Sequence, residues 1–314
     1  MGLRSTASLA TIGAPDGAAV GFGSFWLRAG SGYTMYRIDA ATTTIAAEIQ
    51  GLPTATPGFS QPIAAGEGSI WTSNIGDGSV SRIDPATNRV VATIPVWPEN
   101  VCGGDPSARC SSPVGIAITS GAVWVALHHE WSVVRIDPAT NRVVATIPVG
   151  AAGGNLSGPS DLTAANGLVY VGGAGGLESE PYLKRIDPAT NTVTPVIDLP
   201  SGCGRPAGAG THVWIGIAGC GPGGAGTIGD IDLGSASIVG QVAVGGPPFD
   251  VVVGAGKIWT VTGSNELVRI DPAAHAVTGR LPFPGNAEAH VAVGAEGIWL
   301  AIQNAVYRIG EYVR

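Results

Sequence analysis

The chain has 314 residues, 45% of them hydrophobic and only 12% charged, with 49 glycines, 23 prolines, a net charge of −7 and a pI near 5.1. This acidic balance excludes a phosphate-tracking surface for nucleic acid and gives no polybasic handle for an anionic membrane. The mean hydropathy of +0.28 is no membrane signal either, because the longest uncharged stretch, 206–229, is broken inside by eight glycines, Pro222 and His212, and no membrane span is expected.

Read from the N-terminus, an apolar residue followed by an aromatic recurs at Phe25-Trp26, Ile70-Trp71, Val123-Trp124, Val169-Tyr170, Val213-Trp214, Ile258-Trp259 and Ile298-Trp299. The aromatics are 45, 53, 46, 44, 45 and 40 residues apart. Each is followed by a second marker: Arg37-Ile38-Asp39, Arg82-Ile83-Asp84, Arg135-Ile136-Asp137, Arg185-Ile186-Asp187, a weaker Asp230-Ile231-Asp232, Arg269-Ile270-Asp271, and a last Arg308-Ile309. A period of this length with strand-and-turn content predicts an all-β, seven-bladed β-propeller with four-stranded antiparallel blades. The blades are expected over 17–50, 62–96, 113–149, 159–199, 205–244, 248–283 and 288–314, forming one domain.

Blade three shows the plan. Its strands are expected over 115–118, 122–127, 132–136 and 142–149, with Ser120-Gly121 as the first turn and Asp137-Pro138-Ala139-Thr140-Asn141 as the last. Asp caps such a turn with its carboxylate, Pro presets φ, and Asn tolerates the left-handed conformation. The last unit stops after three strands, and the segment 8–13 repeats the outer-strand pattern of Ala92-Thr93-Ile94-Pro95. It is therefore expected to pair with 306–309 as the missing strand of blade seven, which removes two open edges.

Length variation is confined to the connections that follow the second and outer strands: 97–113, 172–181 and 216–226. These share one face, and a binding site is expected there, for a protein or small-molecule partner. Cys102 and Cys110 lie in one such loop, and Cys203 and Cys220 in two loops of blade five. Pairing 102–110 and 203–220 is one of three connectivities and the one that links no two blades. Two bridges imply an oxidising compartment, hence a secreted, periplasmic or cell-surface setting, although the start MGLRSTASLA lacks the apolar run of a signal peptide.

The residue nine before each blade aromatic starts the inner strand and faces the central channel: Gly17, Pro62, Gly115, Asp161, Arg205, Asp250 and His290. Blades four to seven thus place Asp161, Arg205, Asp250 and His290 around the mouth, with Glu288 two residues upstream of His290. Such a half-ring suits a polar ligand or a divalent cation, magnesium or calcium, with Glu288, Asp161 and Asp250 as oxygen donors; it equally suits a wetted channel wall. A second cluster, His128-His129-Glu130-Trp131, forms with Trp97 a candidate aromatic pocket or interface anchor. No GxSxG, HExxH or strand-to-helix GxGxxG motif is present. No self-complementary patch is evident, so a monomer is expected.

The segments Arg82-Ile83-Asp84-Pro85-Ala86-Thr87-Asn88-Arg89 and their counterparts at 135–150 resemble the YVTN class of bacterial propeller repeats. That resemblance covers nearly the whole chain and implies the fold; the class includes periplasmic and surface binding proteins and, more distantly, streptogramin (virginiamycin B) lyases. Those lyases carry Glu-x-His at the start of an inner strand, and Glu288-Ala289-His290 is similar to it. The resemblance implies His290 as general base and Glu288 as magnesium ligand. It breaks down elsewhere. The lyases' further acidic ligand falls at Ile302, and their substrate-contacting His at Asp250. The expected function is therefore non-catalytic binding on the long-loop face. The alternative is a metal-dependent lyase, or a lactonase-type hydrolase, at the channel mouth.

Overall fold

The computed structural model describes residues 2–10, 13–29, 34–53, 61–96, 113–150, 158–173, 181–200, 205–219, 221, 223–285 and 289–312. They form seven sheets of four antiparallel strands each, in a ring. Six blades run inner to outer in chain order, and the seventh is closed by Gly2–Ala10 lying beside Ala305–Tyr312. Cys102, Cys110, Cys203 and Cys220 lie outside the described residues, as do Trp97 and Glu288.

The closing strand sits three residues earlier than the motif comparison suggests. Ala7 pairs with Arg308 as Ala92 pairs with Arg82, so Leu9 fills the place of Ile94. The segments Ala7-Ser8-Leu9 and Ala10-Thr11-Ile12 share one small–hydroxyl–aliphatic pattern, and only packing separates them. The register seen buries Leu3 between blades six and seven and packs Leu9 against blade one. A bulge between Ser5 and Ala7 absorbs the extra residue, with Thr6 Oγ1 donating to the Arg308 carbonyl.

Blades meet through alternating apolar layers in which the second strands are almost wholly buried, as the uniformly apolar 122–127 segment requires. The six blade tryptophans are fully buried, and the indole N–H of Trp26, Trp71, Trp124 and Trp259 donates to a carbonyl five residues back. Over Trp26, Trp71 and Trp124 lie the guanidinium carbons of Arg37, Arg82 and Arg135, at 5.3, 5.0 and 5.3 Å from the ring centroids. Each arginine then crosses to the next blade's turn. Arg37 donates to the Pro85 carbonyl and Asn88 Oδ1 (2.6 and 3.0 Å), and Arg82 to Pro138 and Asn141 (2.5 and 2.8 Å). Arg135 does the same at Pro188 and Asn191. The asparagines hold the required positive φ of 55–57°.

Blade five inverts this clamp. Asp230 stands where the arginine would be, and His275 of blade six stands where the asparagine would be. His275 Nε2 lies 2.8 Å from one Asp230 oxygen, and His212 Nδ1 lies 2.7 Å from the other. His275 also takes the arginine's place near Trp214, with ring centroids 5.7 Å apart.

Two groups of backbone bonds define the two faces. Outer-strand ends bond to the loop after the second strand, as in Val96 N to Gly78 O and Val149 N to Trp131 O. The short turns bond to each other on the opposite face, as in Ala40 N to Gly23 O and Leu233 N to Thr211 O. No helix among the described residues is long and apolar enough to cross a membrane.

Removing residues 2–10 leaves Ala305–Tyr312 as an open edge; the expected outcome is a large fall in melting temperature with concentration-dependent aggregation, read by calorimetry and size-exclusion chromatography. Asp230→Arg alone faces two histidines and is expected to cost on the order of 2 kcal/mol. Adding His275→Asn rebuilds the arginine clamp and should recover most of that loss in a double-mutant cycle by urea unfolding.

Candidate functional site

Inner strands begin on the long-loop face, and a repeated backbone device aims their first side chains. In blades one, three, four and six the register shifts immediately before the ring position, between Pro15 and Gly17, Pro113 and Gly115, Pro159 and Asp161, and Pro248 and Asp250. A bulge places two residues opposite one and redirects the next side chain. The sequence signal is a proline two residues ahead of Gly or Asp, recurring at the same point of four blades. Crowding at the axis accounts for the glycines: a Cβ on Gly115 would come within 2.8 Å of the Asp161 Cα.

A cavity of about 320 Å³ opens there, lined from all seven inner strands. Its two halves differ in chemistry. Blades one to three contribute Gly17, Ala18, Pro62, Ile63, Val114 and Ile116, and blades four to seven contribute Asp161, Arg205, Asp250 and His290.

The last four residues form a connected set. Asp250 accepts from Arg205 Nη1 at Oδ1 (3.0 Å) and faces His290 Nδ1 with Oδ2 (2.8 Å). The side chains of Asp250 and His290 are 16% and 11% exposed, and that of Arg205 is 37% exposed. Burial pushes the Asp250 carboxyl up, but the His290 ring and the Arg205 guanidinium outweigh it and hold the group below the usual carboxylate range. Asp161 goes the other way. Desolvation by the crowded wall dominates and raises it to about 7, against the pull of Arg205 and the Leu162 N–H (2.8 Å), with Asp250 adding repulsion. Its side chain still borders the open channel, so the group exchanges protons with water.

These described donors do not make a cation cage. Both Asp250 oxygens are engaged, one by Arg205 and the other by His290, Asp161 holds its proton to near neutrality, and no three His, Cys, Asp or Glu side chains are grouped for a metal among the described residues. Glu288, the remaining expected ligand, lies outside them.

The second cluster is separate from the cavity. His128 Nδ1 contacts the Pro159 carbonyl at 3.0 Å, and the His128 and His129 rings stand at 71° to one another. Trp131 adopts a positive φ of 47° and packs against Gly150, so it braces the loop. None of the three lines the cavity.

Two features went unread in the sequence. Phe249, 43% exposed, sits beside Asp250 on the bulge. Arg28 is fully buried between blades one and two, donating to Ser73 O (2.6 Å), Asn74 Oδ1 (2.8 Å) and Thr72 Oγ1 (3.1 Å). Burial lowers its pKa to about 10, while Asp16 and Asp77 pull upward. The available signal was a charge inside a second strand, two residues after the blade tryptophan.

No protein-family model matches the chain, and no curated protein matches it by sequence. Among solved structures it is similar to a streptogramin B lyase, at TM-score 0.72 and 16% identity over 98% of this chain and 97% of that one. It is also similar to hydrazine synthase of Kuenenia stuttgartiensis, at TM-score 0.71 and 14% identity over 94% and 95%. The sequence resemblance to lyase-like propellers is thus matched in three dimensions; identities this low carry the fold alone, and no family model supports the YVTN class in particular.

The Asp161 shift fixes a sign. Its folded pKa lies above the unfolded value of about 3.9, so the group favours unfolding progressively from there up to about 7 and by a constant amount above. Asp161→Asn is expected to raise the melting temperature at pH 8 and leave it unchanged near pH 3, measured by calorimetry across pH.

Proposed function

We propose that this propeller is a binding protein whose long-loop face receives a small polar ligand at the channel mouth, with Arg205, Asp250 and His290 as its contacts and no chemistry performed. The observation that carries this is the Arg205–Asp250–His290 chain opening into a cavity lined by all seven inner strands. Asp250 uses both oxygens to orient its neighbours, an arrangement that presents fixed donors to a ligand. The sequence puts its length variation in the connections of this same face, which supports a protein partner there as well. A secreted, periplasmic or cell-surface setting accords with the pairing expected of the four cysteines and with the membership of the class the repeats resemble.

A second reading is favoured by one contact. The Asp250 carboxylate on His290 Nδ1 is the pairing that orients a general base, which supports a lyase at the same mouth. His290 would then be the group placed to take a proton α to a carbonyl. The described donors leave a magnesium ion without a ready cage.

Fragment screening by thermal shift separates the readings. Ligands that stabilise the wild type are expected to weaken about tenfold or more on Asp250→Asn, which releases both oriented neighbours. They should be unaffected by Trp131→Ala. Equal affinity for wild type and Asp250→Asn would sink the channel-mouth site. A melting rise with Mg²⁺ or Ca²⁺ that EDTA reverses and His290→Ala abolishes would favour the lyase.

A further inference from the structure

The polar half of the mouth holds a cation that is only partly used. Asp250 takes Arg205 Nη1, and among the described residues nothing else bonds this guanidinium, which remains 37% exposed. A guanidinium carries five N–H donors in a planar fork, so its remaining edge matches a planar anion. Across the cavity stand Ala18, Ile63, Val114 and Ile116, whose side chains pack largely into the interblade cores and leave that half of the wall without a charged group. A volume of about 320 Å³ lies at the small end of ligand pockets.

We propose that the mouth selects a small monocarboxylate with an apolar body, its carboxylate on the free edge of Arg205 and its body against the uncharged half of the channel. This rests on the channel-mouth reading above. The distribution of charge decides between anions. Asp161 and Asp250 flank Arg205, so a ligand bearing two negative charges, such as phosphate at neutral pH, meets repulsion that a single carboxylate largely avoids. Asp161 adds a second element of selectivity. With its carboxyl held to about 7 it is a neutral acid in mildly acidic solution and donates a hydrogen bond to a ligand oxygen. Once ionised it accepts only and repels the ligand. The titratable groups that share the mouth with it are Arg205, Asp250 and His290, of which Arg205 and Asp250 act on it directly, and affinity therefore falls as pH rises through that value.

Titration calorimetry with phenylbutyrate, its amide, its amine and inorganic phosphate tests this. Phenylbutyrate is expected to bind, and the other three to bind at least about tenfold more weakly. Arg205→Gln should remove that preference. Arg205→Lys, which keeps the charge and loses the fork, should retain weakened, salt-sensitive binding and serves if the first variant melts early. Asp161→Asn should keep binding and flatten its decline between roughly pH 6 and pH 8. Equal or tighter binding of the amide, the amine or phosphate, lost on Asp250→Asn, overturns the carboxylate assignment and leaves a mouth ligand standing. Binding of the acid that neither Arg205→Gln nor Asp250→Asn alters, or no binding by any probe, overturns both.

Discussion

The contact that holds blade to blade repeatedly in the first half of the ring is a guanidinium shared between two neighbours. It stacks on its own blade's tryptophan and donates to the turn carbonyl and asparagine of the next, as Arg37, Arg82 and Arg135 show. The contact demands three residue types at fixed places: an aromatic in the second strand, an arginine in the third, and an asparagine that accepts positive φ in the turn. That demand is why the sequence is so visibly periodic on the short-turn face. It also explains why the opposite face is free to vary, since no interblade clamp of this kind depends on the loops there.

At one interface the clamp is replaced by a matched pair. Blade five loses its arginine and blade six its asparagine, and Asp230 with His275 restores a charged, hydrogen-bonded bridge of reversed polarity. His212 completes it from the first turn of blade five. Between blades one and two, on the other face, a buried arginine adds to the Arg37 clamp: Arg28 is bonded into the second strand of its neighbour where other blades pack apolar or small residues. Both arrangements put buried charge into interfaces, which is sustained because each charge has partners.

The same ring geometry produces the site. Seven inner strands converge until only glycine fits at positions such as 115, and in blades four and six a bulge turns Asp161 and Asp250 toward the axis. Where the ring positions carry Asp161, Arg205, Asp250 and His290, the channel becomes charged on one side only. Two carboxylates a blade apart then behave oppositely. Asp250 has Arg205 and His290 on its two oxygens and is held below the usual carboxylate range, while Asp161 is crowded and keeps its proton to about 7.

Blade number, strand order, turn chemistry and the identity of the channel-facing residues were all legible in the sequence, because each is dictated by local repetition: a Trp, an Arg and an Asp-Pro turn return at the same offsets. The half-ring of polar residues followed from counting back from each tryptophan. Register and pairing were not legible. Ala7-Ser8-Leu9 and Ala10-Thr11-Ile12 read alike, and only the burial of Leu3 and Leu9 selects the first. Nor does any local pattern reveal that Asp250 spends both oxygens on Arg205 and His290, which come from blades whose residues are 45 and 40 positions away in the chain. Repetition is a local property and survives in one dimension. The protonation of Asp161, the orientation of His290 and the open edge of Arg205 arise from distances across the channel, and those exist only once the ring has closed.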